Sequence, residues 1–179
     1  VYAMARAFPE GHLWIAYLGT GMAVYGVVFA LLQDDMRRLL SYHIQSQVGY
    51  MVAGVGIPSA LATAGALAHV FNHILYKGLL FMVVGVVIYR TGKEKLSDLG
   101  GLWRVMPITA VVFAVAALSI SGFPGFNGFV SKGMVTAAAH KKHLDTIYYL
   151  LLAAGVGTFI SFLTLGYYPF LQGAVRHRV

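Results

Sequence analysis

The sequence has no cysteine. A disulfide framework, a cysteine-ligated zinc site and an iron–sulfur cluster are therefore excluded within these 179 residues. Charge is scarce as well. Asp, Glu, Lys and Arg make up 11% of the chain and hydrophobic residues 59%, where a soluble domain has about 25% charged residues. The mean hydropathy is +0.74. No soluble core needs so much apolar surface, and the composition predicts an integral membrane protein. Enzyme signatures are missing too: there is no G-x-S-x-G, no G-K-[ST] phosphate loop, no H-E-x-x-H and no G-x-G-x-x-G after a strand. No cofactor site is visible, and no redox chemistry of the chain's own is expected. The chain opens VYAMARAF, without an initiator methionine or a signal-peptide pattern, and is expected to be part of a longer protein.

The most informative lack is of carboxylates. The six are Glu10, Asp34, Asp35, Glu94, Asp98 and Asp145, and all fall in loops or at span ends. Five hydrophobic segments reach the roughly 20 residues needed to cross a bilayer. They cover residues 13–32, 39–57, 59–89, 107–139 and 146–171, and they predict an all-α polytopic bundle forming a single transmembrane domain. Gly19, Gly21 and Gly26 in the first could allow close helix packing. The third is longer than a span requires, with Gly78 as a candidate kink. The fourth is interrupted. Half-helices over 108–121 and 129–139 flank Gly122-Phe123-Pro124-Gly125-Phe126-Asn127-Gly128. The glycines Gly122, Gly125 and Gly128 with Pro124 form a hinge that cannot continue a helix.

The formal charge of +7 sits mostly in loops, which points to membrane topology rather than to nucleic acid. Arg37, Arg38, Arg90, Lys93, Lys95, Arg104, Arg176 and Arg178 fall on one side. Arg6, Lys141 and Lys142 fall on the other. The positive-inside rule puts the larger group, and the C-terminal end of the chain, in the cytoplasm.

The titratable groups inside the spans are all basic: His43, His69, His73, Lys77 and Lys132. His69, His73 and Lys77 stand four residues apart, so on a helix they stack on one face with about 6 Å of rise between neighbours. Ionisable groups in lipid mark a pathway by default. Imidazoles exchange protons near physiological pH. The row is read as a proton relay, with Lys132 beside the broken helix as a second station, because discontinuous helices often mark ion sites in transporters. Two readings stay open beside it. Each histidine could simply bond a neighbouring helix, making the chain a structural scaffold. Two histidines at this spacing could also chelate a metal, but no third Cys, Asp or Glu ligand lies on this helix, and no metal site is expected. Gln45, Ser46, Gln47 and Tyr50 either solvate the same interior or bond between helices. Asn127 and Ser131 could help hold water at the break.

These pieces carry a resemblance. Asp35-Met36-Arg37-Arg38-Leu39-Leu40-Ser41-Tyr42 with Ser46-Gln47-Val48-Gly49-Tyr50 is similar to D-x-K-R-x-L-A-Y…S-Q-x-G-Y. His69-x3-His73-x3-Lys77-Gly78-Leu79-Leu80-Phe81 resembles H-x3-H-x3-K-A-L-L-F. Leu99-Gly100-Gly101-Leu102, then Pro107, resembles a G-G-L…P loop. Leu118 to Pro124, running on to Gly128-Phe129-Val130-Ser131-Lys132, resembles a broken helix with its key lysine. Together, from about residue 13 to 170, they resemble the antiporter-like proton-translocating subunits shared by respiratory complex I, membrane-bound hydrogenases and Mrp sodium/proton antiporters. Ser-Gly-Phe-Pro and Gly-Phe-Val-Ser-Lys lean toward the D-type branch of the Mrp antiporter proteins.

The resemblance implies a protein of about fourteen helices built from two inverted five-helix repeats, of which this chain is the second. It implies a bacterial or archaeal plasma membrane, neighbouring membrane subunits as partners, and protons, with sodium as an open alternative, as the transported ions. A proton-pumping subunit of an NADH:quinone oxidoreductase or of a hydrogenase is the other assignment within the family. Two positions depart from the pattern. Arg37 replaces a lysine and, being always charged, cannot relay. His43 stands where the family has serine, and is expected to add a titratable group toward the cytoplasmic mouth.

Overall fold

The computed structural model describes residues 1–173. Arg176 and Arg178 lie outside the described residues, and so does their place in the topology. The described residues contain helices and no strand. The elements are α1 (Tyr2–Ala7), α2 (Leu13–Leu31), α3 (Met36–Gly56), α4 (Ala60–Thr91), α5 (Leu102–Val105), α6 (Pro107–Ser121), α7 (Asn127–Lys141) and α8 (Asp145–Gly166). A single 3-10 turn, Leu96–Asp98, follows α4, and a π-helical turn, Tyr167–Leu171, extends α8.

Local chemistry sets these bounds. Asp35 caps α3 by accepting from the Arg38 backbone N–H at 2.9 Å. Gly92 ends α4 in the left-handed region at φ 68°. Pro107 opens α6, where its missing N–H has no intrahelical partner to lose. Three elements are long and apolar enough to cross a bilayer unaided: Leu13–Leu31, Ala60–Thr91 and Asp145–Leu171. The other two expected spans differ for physical reasons. Helix α3 has the length, at 21 residues, but its first turns are polar. Helices α6 and α7 have 15 residues each, about 22 Å apiece, and reach across only as a broken pair. Helix α4 runs unbroken through Gly78 for 32 residues, about 48 Å.

Helices α2 and α3 pack backbone to backbone. A Cβ added at Gly19 would run into the Ala53 backbone nitrogen, at Gly26 into that of Ser46, at Gly49 into that of Ala23, and at Gly56 into that of Ala16, each time closer than 3.0 Å. These pairs keep one antiparallel register, so small residues set the approach. Gly21 faces open space and takes no part. The Ser46 hydroxyl reinforces the contact by donating to the Ala23 carbonyl at 2.8 Å. Large apolar side chains such as Trp14, Phe71, Ile74, Met82, Tyr89 and Ile108 are exposed, as a chain solvated by lipid permits.

Candidate functional site

The break between α6 and α7 is held by backbone fit and side-chain bonds. Gly122 and Gly125 adopt φ of 77° and 92°, open to glycine without strain. A Cβ at Gly128 would collide with the Ser119 carbonyl oxygen, so the start of α7 can sit against the end of α6 only with glycine there. Ser119 donates to the Asn127 side chain, and Asn72 of α4 donates to the Asn127 carbonyl at 3.0 Å. Asn127 thus pins the break to α4.

Lys132 fills the space this creates. Its ammonium donates to the Ile120 carbonyl at 2.7 Å. That carbonyl lies in the last turn of α6, where unpaired carbonyls present partial negative charge to a cation. With no carboxylate at hand, the end of a half-helix serves as the lysine's partner. The ammonium also lies 5.1 Å from the centroid of the Tyr50 ring. The Tyr50 hydroxyl donates to the Leu151 carbonyl of α8. Beside Lys132 a groove of about 360 Å³ opens between the break and α8, bordered by Tyr50, Gly122, Phe129 and Gly155.

The α4 row faces inward as its spacing requires: His69, His73 and Lys77 are all buried. His69 is the junction. Its Nδ1 is 2.8 Å from the Ser131 hydroxyl of α7, and its Nε2 is 3.1 Å from the Gln47 side-chain oxygen of α3. The Gln47 amide reaches Thr158 of α8 at 3.4 Å, so one imidazole and one amide link four helices. Since Ser131 precedes Lys132 in the chain, the bond to His69 fixes the row beside the second lysine. The His73 ring lies 6.3 Å from that of His69 and 5.6 Å from that of Tyr76.

Lys77 and His43 are bound differently. The Lys77 ammonium, both ring nitrogens of His43 and Nε2 of His73 are buried with no hydrogen-bond partner among the described residues. The Lys77 ammonium lies 5.7 Å and 5.9 Å from the Phe81 and Phe162 ring centroids. The His43 ring lies 4.8 Å from Phe162. No grouping of three or more metal-ligating side chains occurs among the described residues.

The structure therefore brings His69, Ser131 and Gln47 into direct contact, with Lys132 next to Ser131 in the chain, and places His43 and Lys77 against the one Phe162 ring. Of the four polar residues marked on α3, Gln47 joins the row, Ser46 and Tyr50 bond to neighbouring helices, and Gln45 is half-buried. Sequence reading missed Tyr76, Asn72, Ser119 and Thr158. Tyr76 had a usable signal, seven residues after His69 on the same face. Thr158 had only its polarity, because α8's register against α3 is a tertiary fact.

The sequence and the fold are both similar to those of known membrane proteins. A family model described as "NADH:quinone oxidoreductase/Mrp antiporter, TM" matches residues 1–161. The D subunit of the Na(+)/H(+) antiporter of Alkalihalophilus pseudofirmus is 39% identical, over 99% of this chain and 37% of that protein. A chain of the archaeal membrane-bound sulfane sulfur reductase, a respiratory membrane complex, is 37% identical at a TM-score of 0.85, over 91% of this chain and 27% of that one. A chain of the Mrp complex from Dietzia sp. DQ12-45-1b superposes at a TM-score of 0.88 with 26% identity, over 94% of this chain and 32% of that one. The chain spans between 15% and 37% of the length of these curated relatives.

Proposed function

The chain belongs to the NADH:quinone oxidoreductase/Mrp antiporter transmembrane family, and from that premise we propose that it is the second five-helix repeat of an antiporter-like subunit that moves protons across the membrane. Lys77 is the central proton carrier, Lys132 the outer relay or exit group, and His69 and His73 join them through water. The observation that carries this reading is the His69 junction. One imidazole bonds Ser131, the neighbour of Lys132, with one nitrogen and Gln47 with the other. The Gln47 oxygen only accepts, so Nε2 carries the ring proton and Nδ1 accepts from the Ser131 hydroxyl. A proton taken up at Nδ1 gives an imidazolium that can release the Nε2 proton toward the Tyr76 hydroxyl, 3.4 Å away.

The missing counter-charges belong to the rest of the subunit or to neighbouring membrane subunits. The assembly lies in a bacterial or archaeal plasma membrane, with the basic loops of Arg37, Arg38, Arg90, Lys93 and Lys95 on the cytoplasmic side. Assignment to the D-type Mrp proteins is favoured by the 39% identity to one of them over 99% of this chain. The test is proton movement by the parent complex in proteoliposomes. Lys77→Met is expected to abolish it with assembly intact. Retained movement would leave the buried basic groups a packing role and make the chain a scaffold.

A further inference from the structure

Among the described residues, His43 is the one buried basic group that the α4 row and the broken helix leave unused. It is fully buried on α3, and both its ring nitrogens lack a protein partner, as does the Lys77 ammonium. Both side chains border the same Phe162 ring, the imidazole at 4.8 Å and the ammonium at 5.9 Å. A neutral buried imidazole always presents one donor and one acceptor. Polar groups left unpaired in protein interiors are normally met by ordered water, which needs two to four polar partners.

The position of His43 along the membrane is fixed by the loop. The start of α3 is tied to the segment after α4 by Met36 N–H to the Glu94 carbonyl at 3.1 Å and Leu96 N–H to the Asp34 carbonyl at 2.8 Å. The two helices therefore meet the loop face at one level. His43 lies eight residues from the Asp35 cap, about 12 Å, whereas Lys77 lies fifteen from Gly92, about 22 Å. His43 is on the loop side of Lys77. Beyond it the structure is apolar: Met36, Leu39 and Leu40 of α3, Val87 of α4 and Leu96 and Leu99 of the loop are all buried in one cluster, with Val84 level with His43.

We propose that His43 and Lys77 enclose a bound-water site beside Phe162, at which His43 takes the proton of Lys77, and that the apolar layer beyond it closes this end of the line toward the loop face. The site rests on the transport reading above. In the step, Lys77 gives a proton to the water as the water gives one to the imidazole. Lys77 is left as an amine, the water is regenerated and His43 becomes an imidazolium. Among the described residues, the charged groups acting on His43 are Lys77 from α4 and Lys132 from α7. Helix α8 faces it with Phe162, and α2 buries no ionisable side chain.

The test uses the intact parent complex in proteoliposomes. His43→Leu, which removes the water's partner, is expected to slow proton movement by about fivefold or more and to change its pH profile, with assembly unchanged. His43→Gln, which keeps a polar side chain but cannot take the proton, is expected to slow it likewise. An experimental map of the wild-type complex is expected to hold water density in contact with the His43 ring. Wild-type rate and pH profile in either variant, or a dry site in the map, would overturn the proposal. Lys77→Met in the same preparation separates the two ideas. If it abolishes movement while His43→Gln does not change it, the water site fails and the transport reading stands. If it changes nothing, the transport reading fails and the site with it.

Discussion

The Lys132 ammonium donates to the carbonyl of Ile120, twelve residues earlier, across the break between α6 and α7. The interruption of the helix and the burial of the lysine are thus one device. The break frees carbonyls that a continuous helix would have consumed, and the ammonium occupies one of them. Lys132→Met leaves that carbonyl unmet, at a cost of about 1–3 kcal/mol. Proton movement by the parent complex is expected to fall at least about tenfold, measured as quenching of a pH-sensitive dye in proteoliposomes, with Lys132→Arg only partly restoring it because arginine does not release a proton.

Ser131→Ala removes the hydroxyl from His69 Nδ1 and leaves a buried ring nitrogen without its partner. A stability loss of about 1–3 kcal/mol is expected, read as a lower melting temperature of the detergent-solubilised complex. Ser131→Thr keeps the hydroxyl and is expected to recover most of the proton movement that alanine loses.

Gly128 and Gly133 lie five residues apart on α7 and differ in surroundings. A Cβ at Gly128 meets the Ser119 carbonyl oxygen, whereas one at Gly133 meets nothing within 4 Å. Gly128→Ala is expected to destabilise by about 1–3 kcal/mol through overpacking and to prise α7 from α6. Gly133→Ala is expected to be neutral, or to stabilise by up to about 1 kcal/mol as a helix former. Comparing the two melting temperatures checks the geometry of the break directly.

The same contrast applies to α2. Gly19→Ala drives a methyl into the backbone of α3 at Ala53, while Gly21→Ala faces open space. The first is expected to lower the yield of folded complex several-fold in membranes, and the second to leave it unchanged.

Arg37 and Glu94 form an ion pair of 3.3 Å in which both side chains are about half exposed. Pairs of this kind contribute about 0–1 kcal/mol. Arg37→Ala is expected to leave the melting temperature within about 2 °C of wild type and the proton-movement rate unchanged. A large loss of rate on that substitution would place Arg37 in the transport machinery.

Much of this protein was determined by its sequence. Long apolar runs can satisfy their backbone in lipid only as helices, so α2, α4 and α8 follow from composition alone. Four-residue spacing places His69, His73 and Lys77 on one face in any helix. Gly122, Pro124 and Gly125 break the fourth span, whereas Gly128, expected in the hinge, stands in the first turn of α7. What the sequence left open depended on register between helices. Whether Gln47 or Gln45 meets His69, whether Gly19 or Gly21 touches α3, and that Phe162 stands beside both His43 and Lys77 are decided by how α3, α4 and α8 rotate against one another. That rotation is set by close packing summed over many side chains, and no local pattern encodes it. Tertiary structure also decided how Lys132 is held. With every carboxylate in a loop or at a span end, the sequence offered it no partner, and the fold supplied the end of its own broken helix.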